Sequence, residues 1–178
     1  MFRGHGVDRV SLGEVSREAG LTHGAFYSHY PSKTALVEAS CRESLRSGAE
    51  AWRRRATVAR SRGDNGLDAI ISTYLSGTHR DAPEQGCALA AIGQELARGD
   101  AALRQVLDQG VGELSAVLEE EVGLFRPELA HEARGRIAHG ILSAMVGGLM
   151  LSRCIADPLK SAATLLAARV AARAAVND

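Results

Sequence analysis

Aromatic residues are scarce in this chain: 4% of 178 residues, with one tryptophan, three tyrosines and three phenylalanines. A β-sandwich draws its core from aromatic and β-branched side chains, so the poverty of these, beside abundant alanine, leucine and glycine, favours closely packed helices. Cysteine is equally sparse. Cys41, Cys87 and Cys154 are odd in number, far apart and without Cys-x-x-Cys pairing, which argues against a disulfide framework or zinc knuckle and for a reducing cytoplasm. The longest apolar stretch free of Asp, Glu, Lys and Arg covers 137–152 and is broken by His139. A membrane-spanning helix needs ~18–20 residues, so a buried helix and no membrane partner are expected. The first ten residues hold three charges and no apolar run, unlike a signal peptide. Catalytic patterns are missing as well. His131-Glu132 lacks a second histidine at position 135, and Gly4-His5-Gly6 is followed by Arg9 where a dinucleotide fingerprint needs glycine. The expectation is a protein that is not an enzyme, with no metal and no cofactor.

The charge is neutral overall but unevenly placed. Up to Arg62 there are 11 Lys+Arg against 6 Asp+Glu; from Gly63 onward the counts are 10 and 15. That split implies a basic N-terminal part facing an anion and an acidic remainder with another task.

Helical periodicity dominates after the first ten residues, and about nine helices with no strand are expected, an all-α fold. Ser11 and Glu14 form a capping-box pair, and Gly20 with Leu21 reads as a left-handed helix stop. Thr22 caps a second short helix that Pro31 ends at Tyr30. Ser32 caps a longer one, expected to run to Arg55. The segment 61–66 reads as a loop, 81–86 as a turn, and 87–98 as a short helix. Pro127 is expected to open a long helix reaching Ile155, and Pro158 to sit in the first turn of the last.

Two short helices joined through Ala19-Gly20-Leu21 are a helix-turn-helix candidate. The residues beyond the turn sharpen it. The run Thr22-His23-Gly24-Ala25-Phe26-Tyr27-Ser28-His29-Tyr30-Pro31-Ser32-Lys33 resembles the recognition helix of the TetR family of one-component regulators, a likeness extending from about Phe2 to Ser40. The resemblance implies a DNA-binding head over residues 1–45 and a helical ligand-binding and dimerisation domain over 46–178. It implies that the second helix of the pair enters the major groove, with Ser11, Thr22, His23, Gly24, Ala25, Tyr27, His29, Tyr30 and Lys33 as candidate DNA contacts. Most would position the protein on phosphates and few would read bases. Phe26 is expected to be core. The family carries a full helix ahead of the stretch matched by Phe2–Gly6. Here Met1 stands almost directly before it, so a head short of most of its first helix is expected, with Leu12, Val15 and Phe26 missing a packing partner and DNA binding weakened.

For the remainder, the resemblance implies a cavity for a small effector that releases a repressor from its operator, and the few ionisable residues in the apolar helix faces point to a mainly hydrophobic one. Trp52, Tyr74, Cys87 and Met145 are the lining candidates. From Ile141 to Leu151 the chain is apolar nearly all round, as suits a helix with two faces to bury. With the alanine-rich last helix it suggests a homodimer interface through Ala144, Gly148, Leu151, Leu166 and Val170. The partners expected are thus a palindromic DNA duplex, a second copy and an unidentified effector. Two other readings stay open: a helical dimeric ligand-binding protein that no longer binds DNA, and an all-α enzyme using its apolar cavity.

Overall fold

The computed structural model describes residues 1–176, and for His23 the backbone alone. The described residues form ten α-helices and no strand: α1 (Phe2–His5), α2 (Leu12–Glu18), α3 (His23–His29), α4 (Lys33–Ser61), α5 (Gly66–Tyr74), α6 (Gly77–Asp81), α7 (Ala88–Ala97), α8 (Ala101–Phe125), α9 (His131–Cys154) and α10 (Pro158–Ala174), with a 3-10 turn at Pro83–Gln85. The all-α expectation holds, with one helix more than anticipated.

The N-terminal elements start and stop where local chemistry requires. Ser11 accepts from the Glu14 amide while the Glu14 carboxylate accepts from the Ser11 amide at 2.7 Å, a reciprocal capping box. Gly20 lies at φ +66°, and the amides of Gly20 and Leu21 return to the carbonyls of Arg17 and Ser16, closing α2 with a Schellman motif. Thr22 and Ser32 cap α3 and α4 through the amides of Ala25 and Ala35. In this region Val10, Phe26 and Leu36 are buried outside the main core. Phe26 is covered by the edge of Tyr27 and the tilted ring of Tyr30, with centroids 5.6 and 5.8 Å away. It therefore keeps its burial, whereas Leu12 and Val15 stay half-exposed.

Helix α4 runs unbroken to Ser61, past the expected end at Arg55 and across the expected division near residue 45. Its apolar positions Val37, Cys41, Leu45, Ala49, Trp52 and Ala56 join the main core, shared with α5 and α7–α10. The closest pairings are α9 with α10, α4 with α8 and α8 with α9. At the α4–α8 crossing Gly110 is needed for approach, since a Cβ there would lie 2.2 Å from Leu45 Cδ1. Beyond it, Arg60 pairs with the buried Glu121.

The turn foreseen at 81–86 is present as a 3-10 turn at Pro83–Gln85, where the missing proline amide costs nothing; the short helix α6 ahead of it, capped by Ser76, was not foreseen. One expectation about prolines needs correction. Pro127 does not open a helix. Residues 126–130 form a turn, and α9 begins at His131 behind Ala130. Pro158 does occupy the first turn of α10, with Asp157 as its cap. Helix α9 has a window of mean hydropathy 1.3, long and apolar enough by composition to cross a bilayer. It lies against α8 and α10, with Ala138, Ile141, Met145 and Leu149 fully buried.

Candidate nucleic-acid interface and effector cavity

Helix α3 exposes a consistent set of side chains. Thr22, Gly24, Tyr27, Ser28 and His29 are exposed, Ala25 and Tyr30 half-buried, and the His23 side chain lies outside the described residues. Thr22 Oγ1 accepts from the Ala25 amide at 3.2 Å, so its own proton stays available for an external acceptor. Gly24 is the informative position. A Cβ built there would meet nothing within 4 Å, and its φ is not positive. Neither packing nor backbone geometry requires glycine, although glycine in a helix costs roughly 1 kcal/mol against alanine. The open space leaves room for a close approach from outside.

Two other candidates are placed less favourably. The Ser11 hydroxyl donates to Glu14 Oε2 at 2.7 Å, so a phosphate there would compete with the capping carboxylate. Lys33 opens α4 on a cleft whose walls include Asp8 and Glu95, acids that would share its charge with any phosphate.

A larger cavity of about 1050 Å³ lies along α4. Trp52, Tyr74 and Cys87 line it; Met145 does not, being fully enclosed in the core. The wall is more polar than the apolar helix faces suggest, since Arg3, Glu43, Arg55 and His79 join it from distant parts of the chain. His79 organises one end. The Cys87 amide donates to its Nε2 at 3.1 Å, which leaves the proton on Nδ1, donated to the Tyr74 carbonyl at 2.7 Å. Burial, reinforced by the charges of Arg153 and Arg3, holds its pKa below the ordinary imidazole value. The unfolded chain therefore takes up this proton first as pH falls through about 6.5, and folding stability drops over the interval below it. Thermal melts at pH 5.5 against 7.5 are expected to show a lower midpoint in acid. The difference should shrink in His79→Gln, and an undiminished difference would contradict this role for the imidazole.

Comparison with known proteins bears on the head first. Residues 1–40 match the family of bacterial regulatory proteins, tetR family. The chain as a whole carries the corresponding fold. It is similar to the structure of E. coli NemR in its reduced form, at 19% identity and a TM-score of 0.73, over 95% of this chain and 87% of that one. It is also similar to a TetR family transcriptional regulator from Cytophaga hutchinsonii, at 18% identity and a TM-score of 0.74, over 97% and 88% of the two chains. Among curated proteins none matches.

Outside the matched residues, an apolar surface lies uncovered on the last two helices. On α10, Leu159, Leu166 and Val170 are 82%, 58% and 60% exposed, and Leu151 of α9 is 60% exposed. Ala162, Ala163, Ala167 and Ala171 are exposed on the same helix, with Lys160 and Arg173 among them. Ala144 is half-buried. Gly148 faces the other way: a Cβ there would lie 2.2 Å from Ala168 Cβ, so this glycine serves the α9–α10 crossing within the chain.

The arginines at this end serve as struts. Arg169 donates twice to the Leu75 carbonyl left open where α5 breaks, and Arg153 donates to the carbonyls of His79 and Arg80 in α6. Sequence reasoning missed Arg3 as a wall residue altogether. Its Nη1 donates to Ser44 Oγ at 2.9 Å and to the Gly86 carbonyl at 2.6 Å, partners 41 and 83 residues away.

Proposed function

We propose that the protein is a ligand-responsive DNA-binding regulator. It binds a palindromic duplex as a homodimer, acts as a repressor, and is released when an effector with a largely apolar body fills the α4 cavity. The observation that carries this reading is the outer face of α3, where an unconstrained Gly24 is flanked by the exposed Thr22 and Tyr27 on a helix of tetR-family sequence. The N-terminal end of such a helix reaches base edges while hydroxyls at its margins hold phosphates. The exposed stripe on α10 supplies a surface for the second copy. Effector and operator then favour different arrangements of the same dimer, which makes their binding mutually antagonistic.

The test uses duplexes selected from a random pool by the purified protein. Tyr27→Phe removes one hydroxyl and keeps the ring, and is expected to weaken binding about tenfold, or about 1.4 kcal/mol, on selected and random duplexes alike, as a phosphate contact should. Failure of the protein to enrich any duplex would favour the helical dimer without DNA binding instead.

A further inference from the structure

The cavity wall contains charges and donors that its own residues leave unmatched. Glu43 is engaged by Arg46 and Ser47. Arg3 bonds only the neutral Ser44 hydroxyl and Gly86 carbonyl, both through Nη1, and forms no ion pair among the described residues. Arg55 likewise bonds only Thr73 Oγ1, at 2.9 Å. The Tyr74 side chain is almost wholly buried, lines the cavity, and its hydroxyl has no nitrogen or oxygen partner, only the neighbouring Cys87 thiol. Burial, with a smaller effect of the adjacent Cys87 thiol, pushes that phenol well above its ordinary pKa, so it remains a donor. Arg153, just behind Gly86, also has a buried Nη1 without a partner. A buried donor with no acceptor costs on the order of 1–3 kcal/mol and persists where something else supplies the acceptor.

Apart from Arg55, these groups lie around Gly86 and Cys87. Arg3 holds Gly86, Cys87 is next in the chain, and Tyr74 and His79 meet edge to face with centroids 4.6 Å apart. Arg55 sits 11 residues further along α4 than Ser44, ~16 Å away at 1.5 Å per residue. Beside Tyr74 stands Trp52, ring centroids 5.6 Å apart, with Leu45, Ile70 and Leu114 completing an apolar wall.

We propose that the cavity selects an anionic ligand, its carboxylate or sulfonate held by the Arg3 guanidinium and the Tyr74 hydroxyl, with an apolar body against Trp52. This deepens the effector reading above and rests on it. Arg3 is the specificity-determining residue. Its Nε and Nη2 remain for a fork-shaped contact with the anion, the geometry in which arginine surpasses lysine.

A matched pair of probes tests it. 1-Anilinonaphthalene-8-sulfonate and N-phenyl-1-naphthylamine share one ring system and differ by the sulfonate. Trp52 is the chain's single tryptophan, so energy transfer from it reports occupancy of the cavity it lines. The sulfonate is expected to bind at least tenfold tighter than the neutral amine. Arg3→Gln should weaken the sulfonate about tenfold and leave the amine unchanged, Arg3→Lys should recover part of the loss, and Tyr74→Phe should lower sulfonate affinity several-fold. Circular dichroism of each variant monitors folding. Equal affinity for the two probes, or sulfonate binding indifferent to both Arg3→Gln and Tyr74→Phe, overturns the anion selectivity while the effector cavity stands. If neither probe takes energy from Trp52, the effector cavity itself is wrong.

Discussion

Replacing Gly24 by leucine is expected to abolish specific DNA binding while leaving the protein at least as stable as before. Because a Cβ at this position touches nothing within 4 Å, the larger side chain starts into open space in the free protein. Its better helix propensity should add a few tenths to about 1 kcal/mol to the head. On DNA, the same side chain would occupy the space through which α3 approaches the groove. Even a modest steric conflict of about 3 kcal/mol lowers affinity on the order of 100-fold. The internal control is Gly112, also open on the outside of its helix α8, where leucine should gain stability without touching DNA binding. Melting curves and a duplex titration on both variants decide the matter. Binding that survives Gly24→Leu would remove the main support for the groove-entry reading. The opposite dissociation, loss of stability with loss of binding, would mean that Gly24 serves the fold.

The second large effect is expected on the other side of the molecule. Leu166→Glu together with Val170→Glu should convert a dimer to monomers at micromolar concentration and lower affinity for a palindrome by at least about 100-fold. Both side chains lie on the outer stripe of α10 with Leu159, and both are more than half exposed in the isolated chain. Burying each against a second copy would contribute roughly 1.5–3 kcal/mol. A two-fold axis doubles every term, and it also doubles the harm, because two substitutions put four carboxylates into one interface. Losing the partner removes the second half-site contact and its effective concentration. Since neither residue supports the core of its own chain, helix content should be unchanged. Sedimentation velocity of wild type and variant measures the change. A wild type that sediments as a monomer, or a variant that remains a dimer, excludes this face as the interface.

Much of the head was legible because its signals are local. The capping box at Ser11, the left-handed Gly20 and the Thr22 and Ser32 caps each act within four residues, and all are present in the structure. The limits lay where the deciding partner is distant in sequence. Helix α6 was missed because Pro83 reads as a breaker, while Ser76 caps a helix too short for periodicity to reveal. Met145 and Gly148 were misplaced for one shared reason. A helix apolar on all sides does not show which residues meet the chain's own core, and contacts with Ala168 and the α8 side settle it only in three dimensions. Arg3 left no pattern at all, since its partners lie 41 and 83 residues later in the chain. The cavity therefore carries more charge than an apolar helix face had suggested.

Guanine N7 methylation protection, on a duplex that the purified protein selects from a random pool, addresses the groove-reading claim most directly, because N7 is exposed only in the major groove. Two protected clusters are expected, related by a dyad and separated by whole helical turns, with protection lost in Gly24→Leu. Unprotected N7 positions on a tightly bound duplex, or a single unpaired cluster, would contradict a dimer that inserts α3 into the major groove.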